Sequence, residues 1–317
     1  MKRKYLRKGE NMGIVYHYCS VPAFISIIRK KELWLTDVLK SNDPMEGQKI
    51  LSDVFTYFNY NDEIKNVYEN TDLYWIMDLI QNYECEVKDY TNYNSYAMCF
   101  SKKGDLLSQW RGYTPNAAGL SIGFDESFFE NWQYYSNNKA IVEYGEVKYT
   151  KSMEDIERIF KKLVELGKNI TIPANFEKED YLEQPFYQYL EILSQKALFV
   201  KDIGFAEECE KRLVYREFYH YDDRKKYNYK EFASPKTINE NKKGLHLSEL
   251  SYYVSDYDFK RYYPLDFKDV TNGFIKEIII GPNCAASSSY IEDLLCREKY
   301  SIGPEGIVLK NSEINYR

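Results

Sequence analysis

The stretch CFSKKGDLLSQWRGY, residues 99–113, decides the fold. YAMCFS (96–101) reads as a strand, and within a few residues the chain enters a helix with Asp105 as candidate N-cap and Gly112 as its end. Leu106 and Leu107 lie one turn from Trp110, and Trp110 one turn from Tyr113, so the helix carries one large apolar face. A strand that turns so quickly into an aromatic helix either fills a core or walls a pocket for a flat ligand such as nicotinamide or a base.

Working outward, IVYHYCS (14–20) reads as a short buried strand, and Ser20 as the N-cap of a helix with Phe24, Ile27 and Ile28 on one stripe. LWLTD (33–37) is a second strand, SNDPMEG (41–47) a turn, and two acidic, aromatic helical stretches span about 45–60 and 62–83. Beyond the opening stretch, AGLSIGFD (118–125) and AIVEYGEVKYT (140–150) read as strands, followed by helices at about 152–167 and 183–201. ECEKRLVYREF (208–218) alternates as a strand does, with Glu208, Glu210, Arg212 and Val214 on one face. Residues 220–244 hold seven Lys or Arg and are predicted to form a long mobile loop. IKEIIIGP (275–282), SSSYIEDLLCREKY (287–300) and IVLKN (307–311) close the chain as strand, helix and strand. The predicted fold is α+β, a central mixed or antiparallel sheet flanked by helices. It comprises a basic leader over 1–13 and one domain over 14–317, with a helical insertion near 45–90.

Composition narrows the function. The 317 residues are 44% hydrophobic and 29% charged, the balance of a folded soluble protein. A net charge of -6 with a pI near 5.4 repels a phosphate backbone, which argues against general nucleic-acid coating. Mean hydropathy of -0.60 reflects 32 tyrosines and many Lys, Glu and Asn. Cys19, Cys85, Cys99, Cys209, Cys284 and Cys296 stand far apart, with no paired CxxC and only three histidines in the chain to assist them, a pattern that disfavours a zinc cluster. The leader has five basic residues and no apolar stretch behind it, and no run approaches a membrane span. The expectation is a cytoplasmic protein with reduced, mostly buried thiols and no membrane partner.

Several constellations can carry chemistry. Glu208 and Glu210 project together from a strand, with Arg212 placed to partner one of them. Such a cluster can stabilise a cationic transition state or grip a hydroxyl; the more ordinary reading from spacing is a solvated face with an ion pair. His17 sits between Tyr16 and Tyr18 in an apolar strand and needs a hydrogen-bond partner, which is usually structural. Asn42, Asp43 and Glu46 offer polar groups where a loop can aim them into a cleft, although Asn-Asp-Pro is also ordinary turn chemistry. Trp110 and Tyr113 can sandwich a ring, or be core. No phosphate-cradling glycine loop is present.

Taken together, YHY (16–18), NDPxE (42–46), CFS (99–101), WxxY (110–113), GxxIGFD (119–125), ExExR (208–212) and IIIGP (278–282) resemble a bacterial family, domain of unknown function twenty-nine seventy-one. Its members look like accessory genes of phage-defence neighbourhoods. The order of these motifs is also similar to that of ADP-ribosyltransferases, in which a first-strand His or Arg anchors the ribose of NAD, a later strand supplies Ser, and an ExE element supplies the catalytic Glu. In this chain CFS stands where those enzymes have a Ser-Thr-Ser triplet. The resemblance implies NAD as substrate, with Glu210, Glu208 and His17 as catalytic residues. Glu210 would favour the positive charge that develops as the nicotinamide-ribose bond breaks, His17 would orient the ribose and Ser101 would hold Glu210. Trp110 or Tyr113 would stack on nicotinamide, and Tyr16, Asn42, Asp43, Glu46 and Arg212 complete the expected substrate side. The implied role is an anti-phage effector acting on a nucleic acid, a protein or the NAD pool. Two alternatives stand beside it. One is a nuclease holding Mg²⁺ through Asp43, Glu46, Glu208 and Glu210. The other is a non-enzymatic sensor using aromatic surface and the basic 220–244 stretch.

Overall fold

β3 (Tyr93–Ser101) is the strand on which the sheet is built, and the opening stretch begins at its end. The structure, a computed structural model, describes residues 13–40, 93–136, 139–150, 197–222, 225–229, 235–241, 244–254 and 258–316. The helical stretches expected at 45–60, 62–83 and 152–167, residues 1–12 of the basic leader, Cys85, Asn42, Asp43 and Glu46 lie outside them.

The chain starts with β1 (Ile14–Ser20), α1 (Val21–Lys30) and β2 (Glu32–Asp37). Ser20 caps α1 as its sequence suggests, its hydroxyl accepting the Ala23 amide at 3.4 Å, and Phe24 and Ile28 bury the inner stripe. β3 is followed by α2 (Leu107–Tyr113), β4 (Gly119–Asp125), α3 (Ser127–Asn131), β5 (Tyr134–Ser136), β6 (Lys139–Glu146) and β7 (Lys148–Thr150). Then come β8 (Val200–Asp202), β9 (Glu210–Asp222), β10 (Lys225–Tyr229) and α4 (Pro235–Asn241). The remaining elements are β11 (His246–Leu247), β12 (Ser251–Val254), β13 (Phe259–Asp266), β14 (Ile275–Ile280), α5 (Ser288–Arg297) and β15 (Val308–Asn311).

Thirteen of the described strands form one sheet. One edge of β3 pairs with β9 over its whole length, from Tyr93↔Phe218 to Ser101↔Glu210. The other edge divides: Thr36 and Asp37 of β2 pair with Ala97 and Tyr96, and Tyr16 of β1 pairs with Ser101. β4, β14 and β15 continue beyond β1, while β13 with β11 and β12 continue beyond β2; β6 and β5 lie beyond β9. Ladders are antiparallel apart from β14–β15, where α5 makes the crossover, and a separate parallel ribbon of β7 and β8. This is the expected mixed sheet with helices against it.

Alternation assigns the two faces. Val15, Cys19, Leu35, Met98, Phe100, Ile122, Leu213 and Tyr215 point to the main core, which α1, α3 and α5 cover. The second face carries two small apolar clusters. One contains Tyr18, Trp110, Ala117 and Ile279; the other contains Val38, Ala97, Leu198 and Val214.

Four expectations about elements are corrected. Asp105 does not cap α2, which starts one residue later than an Asp105 cap requires because that carboxylate is engaged elsewhere. Residues 140–150 are two strands, since the Val147 amide donates to the Glu210 carbonyl at 3.0 Å and the chain then turns to pair with β8. Of the helix expected at 183–201, residues 183–196 lie outside the described ones, and its predicted end is instead β8, whose entry is fixed by the Lys148 amide on the Phe199 carbonyl at 2.8 Å. Within 220–244, β9 runs on to Asp222, β10 pairs back on it and α4 follows, so much of the predicted loop has regular structure: Asn228 and Tyr229 find ladder partners in His220 and Tyr219. Among the described residues no disulfide forms, and only Cys19 of the described thiols is buried, so the thiols are more accessible than expected. No described helix is long and apolar enough to cross a membrane.

Candidate functional site

The register of β1, β3 and β9 brings Tyr16, Ser101 and Glu210 into one cross-strand row, so their side chains share the second face. Cys99 and Arg212 form the next row and lie between the two apolar clusters of that face. Residues 16, 101 and 210 thus meet through sheet order alone.

Glu208 reaches the site by a different route from the one expected. It ends a 3-10 turn over Ile203–Glu208, not a strand, and Cys209 takes a left-handed conformation (φ 49°) before β9 begins. Three backbone contacts hold that turn to the sheet. The Ser101 hydroxyl donates to the Glu208 carbonyl at 2.7 Å, the Lys102 amide to the Cys209 carbonyl at 3.0 Å, and the Glu210 amide to the Tyr149 hydroxyl at 2.7 Å. Ser101 therefore shapes the turn carrying the glutamates, whereas the Glu210 carboxylate is held by other groups.

Those groups are cations. Arg212, 1% exposed, donates through Nε to Glu210 Oε1 at 2.5 Å and through Nη2 to Oε2 at 3.1 Å, while its Nη1 reaches the Leu198 carbonyl at 2.7 Å. Lys201, buried on β8, donates to Glu208 Oε2 at 2.7 Å and to Glu210 Oε2 at 3.4 Å, and its ammonium lies 4.6 Å from the Phe205 ring centre. The sequence signals Arg212 by its i+2 spacing. It does not signal Lys201 or Tyr149, which arrive through the pairing of β7 with β8, where Tyr149 and Lys201 are register partners.

The two carboxyls are pushed in opposite directions. Burial raises the Glu208 carboxyl, against the opposing pull of Lys201. Burial also acts to raise Glu210, but Arg212, Lys201 and a Cys99 hydrogen bond outweigh it and hold that group below the ordinary 4.5. Lys201 stays charged because Glu210 and Glu208 overcome its own desolvation. The Tyr149 hydroxyl is pushed up to about 12, chiefly by burial.

The aromatic helix separates into two roles. Trp110 is fully buried, edge-on to Tyr18 at 4.7 Å, with its indole N–H on Asp105 at 2.6 Å. It is core, which corrects its expected stacking role. Tyr113 is 42% exposed, and its hydroxyl, raised first by burial, lies within electrostatic reach of Glu208, Lys201 and Glu210. This is the flat surface α2 offers at the site.

His17 is also corrected. Alternation turns it to the main-core face, where its ring meets Phe100 edge-on at 6.4 Å and Nδ1–H donates to the Cys99 carbonyl at 3.2 Å. Burial lowers its pKa, so the ring is neutral. It does not converge with Glu210. The β1 side chain in that row is Tyr16, whose hydroxyl donates to Glu277 at 2.7 Å.

Residues 109–213 match the family described as Protein of unknown function (DUF2971). That segment takes in α2 from Gln109, the Glu208 turn, Glu210 and Arg212, and the family is the one the motifs resemble; the motifs at 16–18, 42–46, 99–101 and 278–282 lie outside the match. Comparison with curated proteins and with solved structures gives no match.

Proposed function

We propose that the chain is an NAD-consuming, ADP-ribosyltransferase-like enzyme, and that it serves as an effector of anti-phage defence. The observation that carries the reading is the row Tyr16, Ser101, Glu210: the first strand, the Ser-ending strand and the strand that begins at Glu210 lie side by side, with Glu208 on the turn that leads into Glu210. The defence role is what the family resemblance implies.

The chain's groups suit NAD. Tyr113 presents a half-exposed ring for nicotinamide. Glu210 is ionised but buried and clamped by Arg212 and Lys201, so it can face a ribosyl cation only where substrate loosens that clamp. Glu208, with its raised carboxyl, is the group poised to take a proton from the acceptor. The glycosidic bond breaks with its electrons leaving on nicotinamide, the acceptor oxygen or nitrogen bonds to the sugar carbon, and the acceptor proton passes to Glu208. His17 and Trp110 have no part in this scheme; Arg212 and Lys201 hold the carboxylates. Pairing with Lys201 and Arg212 opposes Glu208 and Glu210 as metal ligands in the nuclease reading, as it opposes Glu210 as a free charge in the transferase reading.

Binding tests the reading first. NAD or ADP-ribose at about a hundred times its Kd stabilises the fold by about 2.7 kcal/mol, which a thermal melt detects. Tyr113→Ala is expected to weaken the shift with NAD more than that with ADP-ribose. No shift with either ligand would speak against the proposal.

A further inference from the structure

Asp105 has a part that neither the motifs nor the proposed chemistry assigns. Its Oδ1 accepts the Trp110 indole N–H at 2.6 Å and the Ser312 hydroxyl at 2.7 Å, and its Oδ2 accepts the Glu313 amide at 2.8 Å. One carboxylate thus ties α2 to the extended segment Ser312–Tyr316. The segment is docked at both ends. The Ser312 amide donates to the Ile280 carbonyl at 2.8 Å as the chain leaves β15, and Ile314 and Tyr316 pack on the cluster of Tyr18, Trp110, Ala117 and Ile279. Its inner residues alternate with Glu313 and Asn315, which face outward.

The other end of the linkage is the site. The loop after Ser101 is held by Tyr18, whose hydroxyl donates to the Lys103 carbonyl at 2.8 Å and accepts the Leu106 amide at 2.9 Å. Seven-residue α2 has no side-chain cap, so its placement comes from Trp110 below, Asp105 before it and the segment across them. Tyr113 lies one turn beyond Trp110 on the same helix. A shift of α2 therefore moves Tyr113 relative to Glu208 and Lys201.

We propose that Asp105 is a positioning residue, acting through Trp110 and the Ser312–Tyr316 strap to fix Tyr113 over the glutamate site. The role of Tyr113 rests on the function proposed above; the strap itself can be read without substrate. In the full chain, Asp105→Ala is expected to speed amide hydrogen exchange across residues 106–114 at least tenfold, with Ser312→Ala giving a smaller change of the same sign. The KM for NAD should rise about tenfold while kcat stays within about twofold, and Tyr113→Ala should add almost nothing to Asp105→Ala. Asp105→Asn, which keeps shape and one acceptor, should recover most of the KM. Additive effects of Asp105→Ala and Tyr113→Ala, or unchanged exchange in both strap variants, would overturn the proposal. A wild-type chain that releases no nicotinamide marks failure of the functional reading, and with it of the role of Tyr113. Intact release with unchanged exchange marks failure of the strap alone.

Discussion

At the scale of single residues, the two glutamates of one motif have been made chemically different by their neighbours. Glu210 is clamped by a buried guanidinium, so removing that partner leaves a buried charge with only Lys201, at 3.4 Å, to offset it among the described residues. Arg212→Ala is expected to destabilise the fold by about 3–5 kcal/mol in denaturant titrations, and Arg212→Ala with Glu210→Ala to recover part of it. Glu208 has its carboxyl raised above the ordinary 4.5, so activity should climb as pH rises through that higher value; Glu208→Gln should abolish this limb of the kcat/KM profile. His17 has the opposite consequence. Its folded pKa is depressed below the ordinary 6.5, so its contribution to stability is present above 6.5 and lost as pH falls, a trend that His17→Gln should flatten in melts between pH 7 and 5. How much of this was legible depends on distance along the chain. The Arg212 pairing follows from i+2 spacing on a strand, but Lys201 comes from another ribbon, and no local pattern points to it. His17 was misplaced because its site role came from the ADP-ribosyltransferase resemblance, whereas alternation sends it to the main-core face, where its partner is structural.

At the scale of elements, strands with clear alternation were legible, and β1, β4, β14 and β15 fall where the sequence puts them to within about two residues. What was hidden is where a strand stops. The ECE step looks like continuous alternation, yet Cys209 adopts a left-handed bend that turns Glu208 out of the strand. The junction after β3 depends on close approach: a Cβ on Gly104 would lie 2.4 Å from the Tyr16 ring and 2.8 Å from Ile279. The Tyr16 hydroxyl is bonded to Glu277 and the ring cannot easily swing away. Gly104→Ala is therefore expected to cost about 1–3 kcal/mol, measurable as a lower urea midpoint with unchanged slope. Polar runs were the least legible elements, since β10 and α4 draw on long-range partners rather than on their own propensity.

At the scale of the molecule, a branched sheet performs the assembly. Because β3 takes β1 on one edge and β9 on the other, side chains separated by most of the chain arrive in one row, and the parallel β7–β8 ribbon adds the cation that closes the cluster. The sequence order of motifs anticipated the row but not which β1 side chain enters it. The central claim is that Glu210 of this row, with Glu208 on the adjoining turn, serves cleavage of the nicotinamide-ribose bond. Its most direct test is mass-spectrometric detection of nicotinamide from NAD with the wild-type chain and the Glu210→Gln variant. The account predicts release by the wild type and a fall of about a hundredfold or more in the variant, the scale expected when a preorganised electrostatic group is removed. Equal release by both, or none by the wild type, would contradict it.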